Sequence, residues 1–222
     1  MYNLIKRLLD VILSLAALIM LTPLFIPIIL ILKCTAEGEV FYLQKRIGFK
    51  NKEFVIFKFA TMLKNSMNMG HGSITLKNDF RVTRFGGLLR KTKINELPQL
   101  INILKGDISI VGPRPLVKND FDAYPEKIKT IIYNVKPGLT GIGSIIFRDE
   151  EDIISNNFSS DPHLYYKEKI APYKGNLELW YQNRKSLLLD LSIIFMTVWV
   201  IFSPKSNLTN KFFKELPKKT FV

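Results

Sequence analysis

Between Asp79 and Pro115 the chain reads DFRVTRFGGLLRKTKINELPQLINILKGDISIVGPRP, and Arg81, Arg84, Arg90, Lys91, Lys93 and Arg114 flank the pair Asn95-Glu96. Guanidinium and ammonium groups gathered in this way suit a substrate that carries phosphates, because they neutralise its charge and match its oxygens with N–H donors. Asn95 is a good helix N-cap and Pro98 is tolerated in a first helical turn, so the spacing predicts a helix from about Glu96 to Leu104, ended by Gly106. Glu96 would then lie beside free N–H groups at the positive end of a helix and would be ionised. In isolation N-E-L-P is only a capped helix. Here Arg90 precedes the cap by about a turn, Arg114 sits on a loop stiffened by Pro113 and Pro115, and Lys58 follows the EFVIF run, so three cations can converge on one acid.

An apolar segment sets where this chemistry happens. Val11 to Leu32 carries no charge, and as a straight helix it would be about 33 Å long, enough to cross a hydrocarbon core of about 30 Å. A single span is one reading. Pro23 and Pro27 argue for another, since each removes a backbone donor and bends a helix, leaving halves of about 18 Å and 15 Å that cannot cross alone. Lys6 and Arg7 precede the segment while Lys33, Lys45 and Arg46 follow it, so both flanks prefer the cytoplasmic side. A proline-broken re-entrant helix satisfies both constraints, with Thr22 bonding carbonyls that the prolines release. The run is too long for a cleaved leader. A second apolar stretch, Leu191 to Phe202, is too short to cross and reads as a core or interfacial helix with Trp199 near the headgroups.

The expected organisation is a re-entrant membrane helix over 1–33, one domain over 34–203 and a basic, frayed tail over 204–222. The class is α/β, mostly helical, with a short β-hairpin from Val40–Leu43 and Glu53–Phe59. Met62 to Asn78 reads as a mobile loop, Phe85–Lys91 as a helix, Ile108–Val111 as a strand, and Phe121–Asn134 and Pro162–Ile170 as helices. Phe121, Tyr124 and Tyr133 are assigned to the core, and Asp107 to capping the turn after Gly106.

Net charge is +13, and residues 1–115 hold 17 basic against 7 acidic side chains, so that half faces something anionic. Nucleic acid is set aside as a partner because neither an RNP-type string nor a helix-turn-helix pattern occurs. Cys34 is the one cysteine, which rules out an intrachain disulfide. Neither His71 nor His163 stands in metal-ligand spacing, so no zinc site is expected.

The strings QKRIG (44–48), FKFATM (57–62), DFRVTRFGGLLRKT (79–92), NELPQLINILKGDISIVGPRP (95–115) and KPGLTG (136–141) resemble those of bacterial sugar transferases, the monotopic polyprenyl-phosphate phosphoglycosyl transferases. The likeness covers nearly the whole chain, and its GDxSxVGPRP ending is highly specific. It implies transfer of a sugar 1-phosphate from a UDP-sugar to polyprenyl (undecaprenyl) phosphate, with release of UMP, as the first membrane step of surface glycan synthesis. It also implies magnesium as cofactor, a seat on the cytoplasmic face of the bacterial inner membrane, and leaves homo-oligomerisation open. Phosphoryl transfer needs charge neutralisation and alignment above all, which Mg²⁺, Arg and Lys provide.

By this resemblance Glu96, Asn95 and Arg90 form the catalytic set, Glu96 holds the metal, and Lys58, Arg81, Pro113, Arg114 and Arg148 bind substrate. Arg148 heads the run Arg148-Asp149-Glu150-Glu151, which would contact the sugar or close over the site; a solvated acidic helix face is the competing reading. One departure stands out. Where the family has Asp-Glu this chain has Asn95-Glu96, and that Asp is the nucleophile that takes up the phosphosugar. An amide is a poor nucleophile towards phosphorus. Three readings stay open: Glu96 attacks or holds metal, the lipid phosphate attacks directly, or the chain is a disabled member that binds nucleotide-sugar or scaffolds glycan assembly. A smaller departure is Ala60, where the family often has Arg.

Overall fold

The computed structural model describes residues 1–70, 72–157, 161–203, 208–213 and 215–219, so His71 lies outside the described residues. A run of apolar residues with no glycine makes Tyr2–Cys34 one helix, α1, with Pro23 and Pro27 inside it. The Thr22 hydroxyl donates to the Leu18 carbonyl at 2.8 Å. Pro23 instead withdraws the donor that would have met Ile19, so Thr22 does not serve the released carbonyl.

Helix α1 packs on the rest of the protein along its length, through a stripe that recurs every three or four residues. At its start Lys6 pairs with Asp190 at 2.5 Å, and Arg7 donates to the carbonyls of Ile103 and Leu104 at 2.6 and 2.8 Å. Asp10 then accepts from the Ile110 backbone N–H at 2.9 Å. Ala17, Leu18 and Leu21 cover Leu100, Ile103 and Ile108, and beyond them Ile28 and Leu32 are buried with Phe59 and Leu89. The opposite face is bare: Leu4, Leu8, Ile12, Ile19 and Met20 are exposed.

Strands β1 (Phe41–Ile47) and β2 (Glu53–Phe59) pair antiparallel, Tyr42 opposite Lys58, around a turn in which Lys50 and Asn51 take positive φ of 55° and 57°. Helix α2 (Arg84–Lys91) is capped by the Thr83 hydroxyl, which accepts from Gly86 N at 3.0 Å. Helix α3 (Gln99–Lys105) stops at Gly106, whose φ of 88° suits a residue without a side chain. Asn102 inside α3 is fully buried and ties it to the hairpin, accepting from Phe57 N at 2.9 Å and donating to Val55 O at 2.7 Å.

Strand β3 (Ser109–Val111) pairs parallel with β4 (Gly138–Thr140), a partnership not foreseen from the sequence. Between them lie two short helices, α4 (Lys118–Asp122) and α5 (Glu126–Lys129), in place of one expected helix over 121–134. Pro125 has no N–H for a continuing ladder and divides them. Helices α6 (Ile142–Ile146), α7 (Glu150–Asn157) and α8 (Pro162–Tyr165) follow; α8 runs through a π turn at Tyr166–Ile170 into α9 (Ala171–Arg184). Helix α10 (Leu187–Phe202) buries Ile193, Met196 and Val200 and exposes Leu188, Leu191, Phe195 and Phe202. The main core joins α4 to α10 around Ile132, Tyr133, Ile142, Ile170 and Leu177, with Phe121 and Tyr124 buried in it as expected. The tail was expected to be frayed; in its described part α11 (Leu208–Phe212) is followed by Phe213, buried against Trp180.

Two further expectations are corrected. Residues Ile94–Glu96 form a 3₁₀ turn rather than the start of a helix, so Asn95 caps nothing and α3 begins only at Gln99. The segment 62–78 is not loose. Its carbonyls at Ser66, Met69, Gly72 and Ile74 all accept from the buried Arg81 guanidinium, at 2.7 to 2.9 Å.

Candidate active site

The loop Gly112-Pro113-Arg114-Pro115 leaves β3 at a place where two backbones nearly touch. A Cβ on Gly138 would stand 2.1 Å from Gly112 N, and one on Gly112 would stand 2.4 Å from the Lys136 carbonyl, so both positions require glycine. Pro113 O accepts from Gly138 N at 2.8 Å. On the other side the Tyr133 hydroxyl donates to Arg114 O at 2.8 Å and accepts from Leu116 N at 3.0 Å, while Arg46 donates to Pro115 O at 3.1 Å. Every residue of the loop is thereby held, and the Arg114 side chain is aimed.

It is aimed at Glu96. The Arg114 Nη2 donates to Glu96 Oε1 at 2.6 Å and Nη1 to Oε2 at 3.3 Å; Lys58 Nζ, from β2, donates to Oε1 at 3.0 Å. The Glu96 side chain is only 14% exposed. Burial by itself would raise the pKa of this carboxyl, but Arg114 and then Lys58 outweigh it and hold Glu96 well below the usual carboxylate range. Its charge therefore rests on two cations rather than on a helix end, which corrects the expectation from the N-cap reading. Lys58 is affected in the other direction. Burial pushes its ammonium down to about 7 even though Glu96 pulls it up.

The clasp lines one wall of a cleft of about 850 Å³. Arg90 and Arg148 line it too, Arg90 paired with Glu151 and Arg148 donating to the Val200 carbonyl of α10. Asn95, though buried, lines the same cleft, and its Oδ1 has no hydrogen-bond partner among the described residues. Lys58, Arg90, Asn95, Glu96, Arg114 and Arg148 are thus brought to one place. Pro113 acts through its carbonyl and ring as a support of the loop. Arg81 differs: it is 1% exposed, and its guanidinium meets both oxygens of Asp79 and the four carbonyls of segment 62–78, so its donors are turned inward. It shapes a wall of the cleft and does not face it with a charge.

Sequence reasoning missed Arg46, Lys174 and Glu178. Arg46 and Gln44 line the cleft on the same face of the hairpin as Tyr42 and its partner Lys58, and Arg46 Nε is buried without a partner among the described residues. The alternation of β1 would have found it. Lys174 is buried and pairs with Glu150 at 2.8 Å. Glu178, one turn on, is 2% exposed, its Oε2 lacks a partner among the described residues, and burial pushes its carboxyl up to about 8. Neither has a local signal, because α9 carries both: Lys174 to the cleft and Glu178 to a buried position that lines neither cavity.

Metal can be considered on this donor set. Among the described residues no three His, Cys, Asp or Glu side chains gather. Glu96 Oε2, held only at 3.3 Å, and the orphaned Asn95 Oδ1 are the oxygens on offer. Mg²⁺ commonly takes one or two protein oxygens and completes its shell with substrate phosphates and water, so the set fits a metal carried in largely by the substrate.

A sequence profile described as bacterial sugar transferase matches residues 1–204. The chain is 33% identical over 207 residues to exopolysaccharide production protein ExoY of Sinorhizobium fredii, covering 87% of this chain and 83% of that protein. It is 32% identical over 204 residues to the UDP-N-acetylgalactosamine-undecaprenyl-phosphate N-acetylgalactosaminephosphotransferase of Aeromonas hydrophila, covering 91% of this chain and 44% of that one. To the UDP-glucose:undecaprenyl-phosphate glucose-1-phosphate transferase of Xanthomonas campestris it is 36% identical over 207 residues, covering 90% and 39%. The chain thus spans less than half the length of the last two relatives.

Proposed function

Because this chain belongs to the bacterial sugar transferase family, we propose that it moves a sugar 1-phosphate from a UDP-sugar to polyprenyl phosphate and releases UMP. The observation that carries this reading is the clasp of Lys58 and Arg114 on Glu96, set in a cation-lined cleft beside an apolar helix. The donor diphosphate lies against Arg114, Lys58 and Arg46, whose charges offset its own. An oxygen of the lipid phosphate attacks the sugar-bearing phosphorus, the bond from that phosphorus to the bridging oxygen breaks, and UMP leaves with the electron pair. Glu96 and Asn95 would hold magnesium, which would supply further charge neutralisation.

Direct attack by the lipid phosphate is favoured over attack by Glu96. A carboxylate held by two cations and far below its ordinary pKa is a weak nucleophile, and the buried amide of Asn95 is weaker still. Glu96 instead keeps Arg114 and Lys58 in position.

The membrane seat follows the same logic. A helix crossing a bilayer needs about 30 Å free of protein, yet both ends and the middle of α1 are packed on the domain. This supports a monotopic arrangement with both flanks on the cytoplasmic face and the bare stripe of α1 in lipid.

Purified chain incubated with a panel of UDP-sugars, Mg²⁺ and polyprenyl phosphate should release UMP only when the lipid is present, with no phosphosugar adduct on the protein by mass spectrometry. UMP from Asn95→Asp alone, with none from the chain as it stands, would overturn this reading in favour of a disabled member.

A further inference from the structure

A second cavity, of about 360 Å³, adjoins the cleft and shares with it the cations Lys93, Arg114, Arg148 and Lys174 and the acids Glu96, Glu150 and Glu151. Apart from those charges and the hydroxyls of Thr140, Ser144 and Thr197 its walls are mostly apolar, built by Ile110 and Leu139 of the parallel strands, Ile145 of α6, and Ile194, Val198 and Ile201 of α10. Val198 and Ile201 are themselves half exposed, so the groove opens alongside α10. That helix stands on the same side as α1. Lys6 and Tyr2 of α1 reach Asp190 near its start, and the outer faces of both helices are apolar. One end of the groove is therefore charged, with four cations against three acids, and meets Glu96 of the site; the other is greasy and faces the surface that α1 offers to lipid.

We propose that this groove between α6 and α10 seats the phosphate-proximal isoprene units of the acceptor lipid, with its phosphate at Arg114, Arg148 and Lys93. The inference rests on the transfer reaction proposed above and adds where the acceptor lies. A charged end with one net positive charge and mostly hydrocarbon walls along the rest match a lipid monophosphate and exclude a nucleotide, whose ribose and base would meet Leu139, Ile145 and Ile194. The volume lies near the lower end of small-ligand pockets, so only the first few units are held and the remainder of the chain runs into the bilayer. Donor and acceptor then approach Glu96 from opposite cavities, which lets one phosphate reach the other without either leaving its own solvent.

The test uses the full chain in nanodiscs of neutral phospholipid and a polyprenyl phosphate bearing a photoreactive group near its phosphate. Cross-links should fall on residues 142–147 and 194–201 and be displaced by unlabelled polyprenyl phosphate, with phosphatidic acid at the same concentration a poor competitor. Val198→Trp fills the groove from an exposed position that tolerates bulk, and should cut labelling at least tenfold and raise the acceptor KM by as much. Leu188→Trp, on the same helix but outside the groove, should leave labelling as it was. Labelling confined to α1, equal competition by phosphatidic acid, or wild-type labelling in Val198→Trp would each overturn the assignment. Labelling needs no turnover, so a chain that labels here but releases no UMP loses the proposed reaction and keeps the groove. Turnover with an unchanged acceptor KM in Val198→Trp does the reverse.

Discussion

Glu96 is a charge taken out of water, and what keeps it there is the pair of N–H forks and ammonium protons around it. Removing one cation leaves the acid half-compensated, so Arg114→Ala should cost about 2 kcal/mol of stability, less than a fully buried pair because Lys58 remains. A thermal melt that does not move would contradict this. Lys58 gives a pH signature. Its free ammonium titrates near 7, so it is charged below that pH and neutral above it. A diphosphate binds the charged form; nucleotide affinity should therefore fall as pH rises from 6 to 8.5, with a proton taken up on binding above pH 7, and Lys58→Met should abolish that uptake. Calorimetry in buffers of different ionisation enthalpy reads it directly. Glu178 gives a second pH signature, in stability. Its folded pKa is raised to about 8, so between the ordinary carboxyl range and pH 8 the unfolded chain loses a proton that the folded one keeps, and stability falls as pH rises. Glu178→Gln should flatten that slope in melts from pH 5 to 8. At this scale residue type made Arg114 and Glu96 legible, because prolines bracket the one and cations surround the other. Arg81 was misjudged because a guanidinium satisfied by six oxygens has the same letter as one offered to substrate.

Elements decide which of those letters meet. The Glu96 turn, the hairpin with Lys58 and the loop with Arg114 are joined by Asn102 across α3 and β2 and by the near contact of Gly112 with Gly138. Gly138→Ala would force those backbones apart. Loss of activity together with a drop of several degrees in melting temperature is expected, whereas Gly87→Ala, whose Cβ would meet only a Val82 methyl at 3.8 Å, should be mild. Helix α1 gives a second test. With Cys34 replaced by Ser, single cysteines at Asn3 and Glu37 should both be shielded from an impermeant maleimide in intact cells and both react after permeabilisation. Reaction of either one from outside would show a span. The hairpin was readable from its β-branched and aromatic runs and α10 from its apolar content, and α2 was placed to within one residue. The β3–β4 pair was not, since three-residue strands 27 or more positions apart have no periodicity to reveal them. Nor was the 3₁₀ turn at Ile94–Glu96, where Lys93 in a left-handed conformation overrides the cap that Asn95 could have made.

For the molecule as a whole, charge and hydrocarbon are sorted onto different surfaces that meet at one acid. The basic excess of the first half lines the cleft, the bare faces of α1 and α10 are apolar, and Glu96 lies where the two cavities join. That sorting was partly visible in the sequence as a basic block following an uncharged run. Its junction was not, because α10 and α9 arrive from the far end of the chain. A single comparison examines the whole picture: passage of radiolabelled sugar phosphate from a UDP-sugar into extracted lipid, for the chain as it stands and for Glu96→Gln, with both shown to be folded by their melts. Label should enter the lipid with the former and drop at least a hundredfold with the latter. Equal transfer by Glu96→Gln would contradict the role given to this acid and the site built around it.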